Sequence, residues 1–292
     1  MPMPVVHQFA NGVMNPLLAY AMAFVGCLLG VSCTARARRT IDGGKKIRWL
    51  VYAGAAIGGG GVWVTHMMAM LGFDVPATPL RYDIATSAAS LAVAVAIITI
   101  GIFIVGYGNG SVLRAIGGGL FTGLGITAMH YLAVSSMRMD AVVSDNSKTF
   151  IVSVGIAVIA STAALWLTVR ARGWGRLIVA AAVMALGVAS MHYTAMAGVR
   201  IHLVPDGGAV PGASPPELLM PIMLISIAAL TCLLFGALDM MADESFSLRV
   251  NRSRLDYVHE ETRMSRNSAD EPHPITEVHY MHPSAKPIAH RR

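Results

Sequence analysis

Three histidines carry the chemistry that this sequence offers. His66 lies in the phrase VTHMMAM (64–70), His130 in TAMHYLAV (127–134) and His192 in ASMHYTAM (189–196). They are 64 and 62 residues apart. Each is set in an otherwise apolar stretch. An unpaired polar ring in such a setting is costly, so the three are expected to meet one another, water or a ligand. Neutral imidazole is a common metal ligand, and three can form a facial set. A purely structural cluster, hydrogen-bonded between helices, is the plain alternative.

Methionines crowd the same phrases. Met70 and Met196 stand one helical turn beyond their histidines, Met129 and Met191 directly before theirs, and Met67 and Met68 directly after His66. Thioether together with imidazole suits soft or borderline metals, copper above all. Methionine is also a good filler of apolar cores, and the chain has 19 of them, so packing and ligation stay open for each. No carboxylate falls near the histidine level, which argues against a hard-cation site. Tyr131 and Tyr193 follow their histidines and read either as hydrogen-bond donors to the site or as tyrosines at a membrane interface. Haem ligation by two of the histidines is a further reading. The small residues that precede them suggest helices too close for it.

The elements that position these residues follow from composition. Of the 292 residues 55% are hydrophobic and only 13% charged. Charge-free runs cover 1–35, 49–73, 84–113, 115–137, 149–169, 177–199 and 218–238. Each approaches or exceeds the roughly 20 residues that cross a bilayer as a helix, and backbone in lipid must pair with itself. The expected fold is therefore all-α, a polytopic membrane protein of seven transmembrane helices. The histidines fall in the second, fourth and sixth spans. Three two-helix repeats plus one extra helix result, with the repeats parallel in the membrane. Each histidine is seven residues before the end of its charge-free run, roughly 10 Å below that edge.

Facing is read from helical spacing. Eleven residues before the histidines stand Ala55, Gly119 and Ala181; seven before stand Gly59, Gly123 and Ala185. Such small-residue stripes let membrane helices approach closely. They predict the three even helices packed together at the centre, with the odd helices outside.

Basic residues set orientation. Arg36, Arg38, Arg39, Lys45, Lys46 and Arg48 follow the first span, Arg114 the third, and Arg170, Arg172 and Arg176 the fifth. The positive-inside rule puts the N-terminus outside and the C-terminus in the cytoplasm. The net charge of +6 then needs no nucleic-acid partner, because it lies beside an anionic leaflet. The first run lacks a basic start and reads as a retained span rather than a signal peptide. Residues 1–240 form the membrane domain. Residues 241–292 form a polar cytoplasmic tail, a short helix followed by disorder, and its HYMH (279–282) reads as part of a histidine-rich disordered end. Cys27, Cys33 and Cys232 match no zinc or redox spacing and read as small buried hydrophobes. GGGGV (58–62) lacks the lysine of a phosphate-binding loop and reads as helix packing. No nucleophile–base pair or acid pair is found, so an enzyme is not expected.

MHYLAV and MHYTAM resemble the signature of the MHYT family of bacterial integral membrane sensor domains, over roughly residues 10–240. The resemblance implies seven spans, with three motif copies near the outer face of alternate helices. It implies copper binding and sensing of oxygen, carbon monoxide or nitric oxide, and frequent fusion to cyclic-di-GMP enzymes or kinases. The family's motif histidines fall on His66, His130 and His192, and its methionines on Met129, Met191, Met70 and Met196. The first copy, Thr65-His66-Met67-Met68, keeps only the histidine and the trailing methionine, and the second has Val134 where the others have methionine. The resulting expectation is a sensor module of the bacterial inner membrane. It would bind copper and a diatomic gas, or respond to redox state, and signal through a partner. Copper delivery or storage is the alternative.

Overall fold

The computed structural model describes residues 12–107, 111–170, 173–203 and 210–218, with scattered positions on either side. The chain divides into two units, Met1–Asp239 and Met240–Arg292. Of the second, His259 alone is described. The expected short helix, disordered end and HYMH segment therefore lie outside the described residues, as does Cys232.

The first unit is mostly helical. Its helices are α1 (Met14–Arg39), α2 (Gly43–Ala55), a π-helix (Ala56–Trp63), α3 (Val64–Met70), α4 (Ile84–Gly106), α5 (Val112–Val134), α6 (Ser147–Val169) and α7 (Trp174–Ala197). Five of them, α1, α4, α5, α6 and α7, are long and apolar enough to cross a membrane. The second expected span is present as an unbroken helical path from Gly43 to Met70, but it changes winding in the middle. The seventh, 218–238, is helical at every described position.

Local signals place the helix starts. The Asp42, Asp83, Ser111 and Asn146 side chains each accept from a backbone N–H of the first turn that follows. Such caps satisfy donors that have no partner inside the helix. Arg36, Arg38 and Arg39 occupy the last turn of α1, where cations favour the negative end of the helix dipole.

The all-α expectation needs a correction at the loops. Those on the histidine side contain four short strands: β1 (Arg81–Tyr82), β2 (Met137–Arg138), β3 (Ala141–Asp145) and β4 (Val199–Leu203). β1 pairs antiparallel with β2, and β3 with β4. Isolated bridges join His7 to Asp74 and Tyr82 to Ala213. These pairings give the backbone of the loops hydrogen-bond partners that no helix supplies there. They tie the loop of each repeat to the next.

The packing order also differs from the expectation. Consecutive helices α4, α5, α6 and α7 pack each on the next, and α1 closes the set by packing on α7 and on the helical path from α2 to α3. The small residues face these neighbours rather than one another. A side chain at Gly119 would run into Thr162, and one at Gly123 would lie 2.6 Å from the Val158 backbone, both in α6. In the first repeat the matching contacts fall on Gly54, against Thr99, and Gly58, 2.8 Å from the Val95 backbone. They are not at Ala55 and Gly59. The cause is the π-helix: its bonds reach five residues back, as Val64 N–H to Gly59 O does, so it holds one more residue than an α-helix would. The face shifts by one position between Gly58 and His66.

Four consecutive glycines make that winding possible. A Cβ on Gly61 would lie 2.9 Å from the Cys27 sulfur, and one on Gly26 would enter the Gly60–Gly61 backbone. The π-helix thus lies backbone to backbone against α1. Trp63 pins its far end, with Nε1 donating to Ser90 Oγ at 2.9 Å and to Ser87 O at 3.2 Å in α4. Cys27 and Cys33 are buried free thiols, as expected.

Candidate metal centre

The three histidines meet. His66 comes from α3, His130 from α5 and His192 from α7, each four or five residues before the end of its helix. This is nearer the end than the charge-free runs suggest, because loop residues 71–73, 135–136 and 198, and then Met137 and Val199 in their strands, take over the last residues of the runs. The rings are 2%, 1% and 3% exposed. Their Nδ1 atoms form a nearly regular triangle: 3.1 Å from His66 to His192, 3.2 Å from His130 to His66, and 3.3 Å from His192 to His130. Ring centroids are 5.0–5.1 Å apart and the ring planes cross at 78–89°.

Protons alone serve this triangle poorly. Each contact between nitrogens needs one N–H and one lone pair, and a neutral imidazole carries a single N–H. If one Nδ1 is protonated, the other two face each other as lone pairs. If two are protonated, two hydrogens collide. A cation resolves the conflict, because all three lone pairs then point at one centre. Two imidazole nitrogens held ~2.0–2.1 Å from one ion at a tetrahedral angle are about 3.3–3.4 Å apart, close to the spacings found. The donor set therefore fits three corners of a tetrahedral metal ion, with the fourth position open. Among the described residues no carboxylate or cysteine joins the group.

The neighbours are arranged less uniformly. Met70, Met129, Met191 and Met196 are all buried. Met70 and Met67 line a void of about 10 Å³ with Leu71, Tyr82, Pro215 and Leu218, which is room for about one water. The Tyr82 hydroxyl is buried and has no hydrogen-bond partner among the described residues, and burial raises its pKa. Tyr131 and Tyr193 lie edge-on to their histidine rings at 5.0 Å. The Tyr131 hydroxyl, however, pairs with Ser153 Oγ in α6 at 3.2 Å, so it serves the helix contact and not the site. Sequence reasoning missed Tyr82. It sits in a two-residue strand, and its pairing with Met137 and bridge to Ala213 bring it beside Met67 and Met70.

Above the triangle the strands form its local cover. Ser136, in the turn after α5, accepts at its carbonyl from Asp83 N–H, and its hydroxyl pairs with Ser87 at 3.0 Å. Asp83 caps α4, and its carboxyl is held below the usual range by the Thr86 N–H and hydroxyl and by Arg138. The two ends of the second repeat, the start of α4 and the turn after α5, are thus joined on the histidine side.

Comparison with known proteins bears on this arrangement. Residues 59–118 and 123–181 match the family model MHYT, described as a bacterial signalling protein N terminal repeat. The chain is 34% identical over 204 residues to the bifunctional diguanylate cyclase/cyclic di-GMP phosphodiesterase MucR of Pseudomonas aeruginosa, covering 68% of this chain and 30% of that protein. It is 30% identical over 234 residues to the cyclic di-GMP phosphodiesterase NbdA of the same organism, covering 78% of this chain and 29% of that protein. The signaling protein YkoW of Bacillus subtilis is 25% identical over 203 residues. The chain thus spans under a third of the length of these relatives. No solved structure matches it.

Proposed function

The chain belongs to the MHYT family of bacterial signalling proteins, and from that premise we propose that it is the membrane sensor of a signalling system, with His66, His130 and His192 holding one copper ion. The observation that carries this reading is the triangle of Nδ1 atoms, whose spacing protons alone serve poorly. Copper is favoured over harder ions by the all-imidazole donor set and by the buried thioethers of Met70, Met129, Met191 and Met196 along the same helices. It is favoured over haem because nitrogens this close leave no gap for a macrocycle between rings.

A bound copper ion would supply an electron-rich centre with a free position for a diatomic ligand such as oxygen, carbon monoxide or nitric oxide. The chain's own residues do the rest. The three rings come from three different helices, so a change in what they hold alters the fit among α3, α5 and α7. His66 is three residues beyond the π-helix, the least regular winding in the unit. A shift of its ring is passed through that winding to α2 and the basic stretch Arg36–Arg48. With seven spans and the N-terminus outside, that stretch faces the cytoplasm of a multi-pass inner-membrane protein. A partner or attached output domain receives the change there. In MucR and NbdA the names specify cyclic di-GMP enzymes, which makes control of that messenger the first output to examine.

The test is metal content of the full chain, purified without an affinity histidine tag, against the His66→Ala/His130→Ala/His192→Ala variant. Both keep His259, His273, His279, His282 and His290, so any copper bound by those cancels in the comparison. About one copper per chain more in the native protein than in the variant is the expected result. Equal copper in both rejects the site.

A further inference from the structure

A second, unrelated feature lies at the opposite end of the helices. Where α5 begins and α6 ends, a groove of about 310 Å³ opens between them. It is lined by Val112, Ile116, Ile159, Thr162, Ala163 and Trp166 among others, and almost no polar surface faces into it. Ile159 and Trp166 are open to the surroundings. Both helices are long and apolar enough to cross a membrane, so this surface adjoins hydrocarbon.

The mouth of the groove is positive. The Arg170 guanidinium lies over the ring of Trp166, a groove residue, at 4.8 Å. Arg176, at the start of α7, donates from Nη1 to Arg170 O at 2.7 Å. Arg114 sits between the lining residues Val112 and Ala115 and donates to Tyr107 O at 3.1 Å. Each guanidinium has five N–H groups, so these bonds hold the side chains in place and leave donors over. Among the described residues no ion pair involves Arg114, Arg170 or Arg176, and the chain has no Asp or Glu between residues 84 and 139, or between 146 and 205.

An apolar trough that ends at fixed guanidinium groups matches one kind of molecule, with a hydrocarbon chain and an anionic phosphate at its end. We propose that the α5–α6 groove binds an anionic glycerophospholipid. Its acyl chain lies along Ile116, Ile159 and Ala163, and its headgroup is held by Arg170, Arg176 and Arg114. Trp166 lies at the boundary between the two parts, with its face already occupied by the Arg170 cation. A zwitterionic lipid fills the same trough but gains less from the arginines, because its choline carries a compensating charge.

The experiment is lipid competition on the full chain in a neutral detergent. Phosphatidylglycerol and phosphatidylcholine with the same dioleoyl chains are added in equal amounts, and the retained lipid is counted by native mass spectrometry. Phosphatidylglycerol is expected in excess, by about fivefold for each arginine that engages it. The R114Q/R170Q/R176Q variant is expected to lose that excess while keeping its phosphatidylcholine. Ala163→Trp, which fills the trough, is expected to lower both. Equal retention of the two lipids by the native protein overturns the proposal, as does an excess that persists in the triple arginine variant.

Discussion

His130 differs from the other two histidines in one respect. Its Nε2 alone among the three is fully buried with no hydrogen-bond partner among the described residues. If Nδ1 binds the ion, Nε2 carries the proton and finds no acceptor, where metal-bound histidines usually have one. An alanine in place of any of the three histidines is expected to weaken copper binding at least tenfold, read by competition with a chelator. The methionines need a different test, because packing and ligation are confounded. Met196→Leu keeps the side chain's bulk. Copper binding several-fold weaker at an unchanged melting temperature is expected if the sulfur is a ligand, and unchanged binding marks it as packing.

Asp83 gives a residue-level prediction about pH. Its carboxyl titrates below the usual range because the Thr86 N–H and hydroxyl and Arg138 favour the charged form. A lowered value in the folded state means that its contribution is full above pH ~4 and is lost as pH falls through the lowered value. Asp83→Asn retains an acceptor for Thr86 but no titrating charge. Its melting temperature is expected to vary less between pH 5 and pH 2 than that of the native chain.

At the scale of elements, the π-helix Ala56–Trp63 decides whether His66 reaches the triangle. It adds one residue between the face that packs on α4 and the histidine. Deleting Gly59 removes that extra residue and leaves the spacing that Gly119 and Gly123 have to His130, so an α-helix of ordinary winding keeps His66 in phase with Gly54 and Gly58. Retained copper with retained helix content is the expected outcome, measured by metal analysis and far-ultraviolet circular dichroism; loss of copper would show that the π winding itself is required. Gly123→Val tests the other repeat. Its new side chain would press on the α6 backbone at Val158, where nothing flexible gives way, and should cost about 1–3 kcal/mol in detergent unfolding.

These elements also show which features are legible in sequence. Three repeated phrases announced the histidines, because a costly buried ring does not recur at such regular spacing without a partner. Helical spacing put small residues on the packing faces of α5 and α7, yet it named the wrong neighbour. Glycine and alanine allow any close approach, and nothing in a stripe says which helix makes it. The π-helix was hidden because GGGGV fits either winding, and contact with α1 and the Trp63 anchor decide between them. The strands were hidden for a similar reason. Arg81–Tyr82 is two residues long, and only the partner at Met137–Arg138 makes it a strand.

At the scale of the whole molecule, the repeats are not independent modules. α1 closes the set by packing on both α7 and the first histidine helix, and the strand pairs bind each repeat's loop to another. Orientation is checked by reporter fusions. Green fluorescent protein joined after Arg292 is expected to fluoresce, and alkaline phosphatase at the same point to be inactive, if the C-terminus is cytoplasmic.

The separation of the histidines along the chain also has a consequence in time. His66 and His192, which touch through Nδ1, are 126 residues apart in the chain. At about 5–20 residues per second of synthesis, His66 waits roughly 6–25 s for its last partner to be made. Through that interval the nascent protein holds one or two of the three imidazoles, and β3 has no β4 to pair with. Closure of the triangle is therefore a late event in the birth of this protein, and a chain that stops before α7 lacks its third corner.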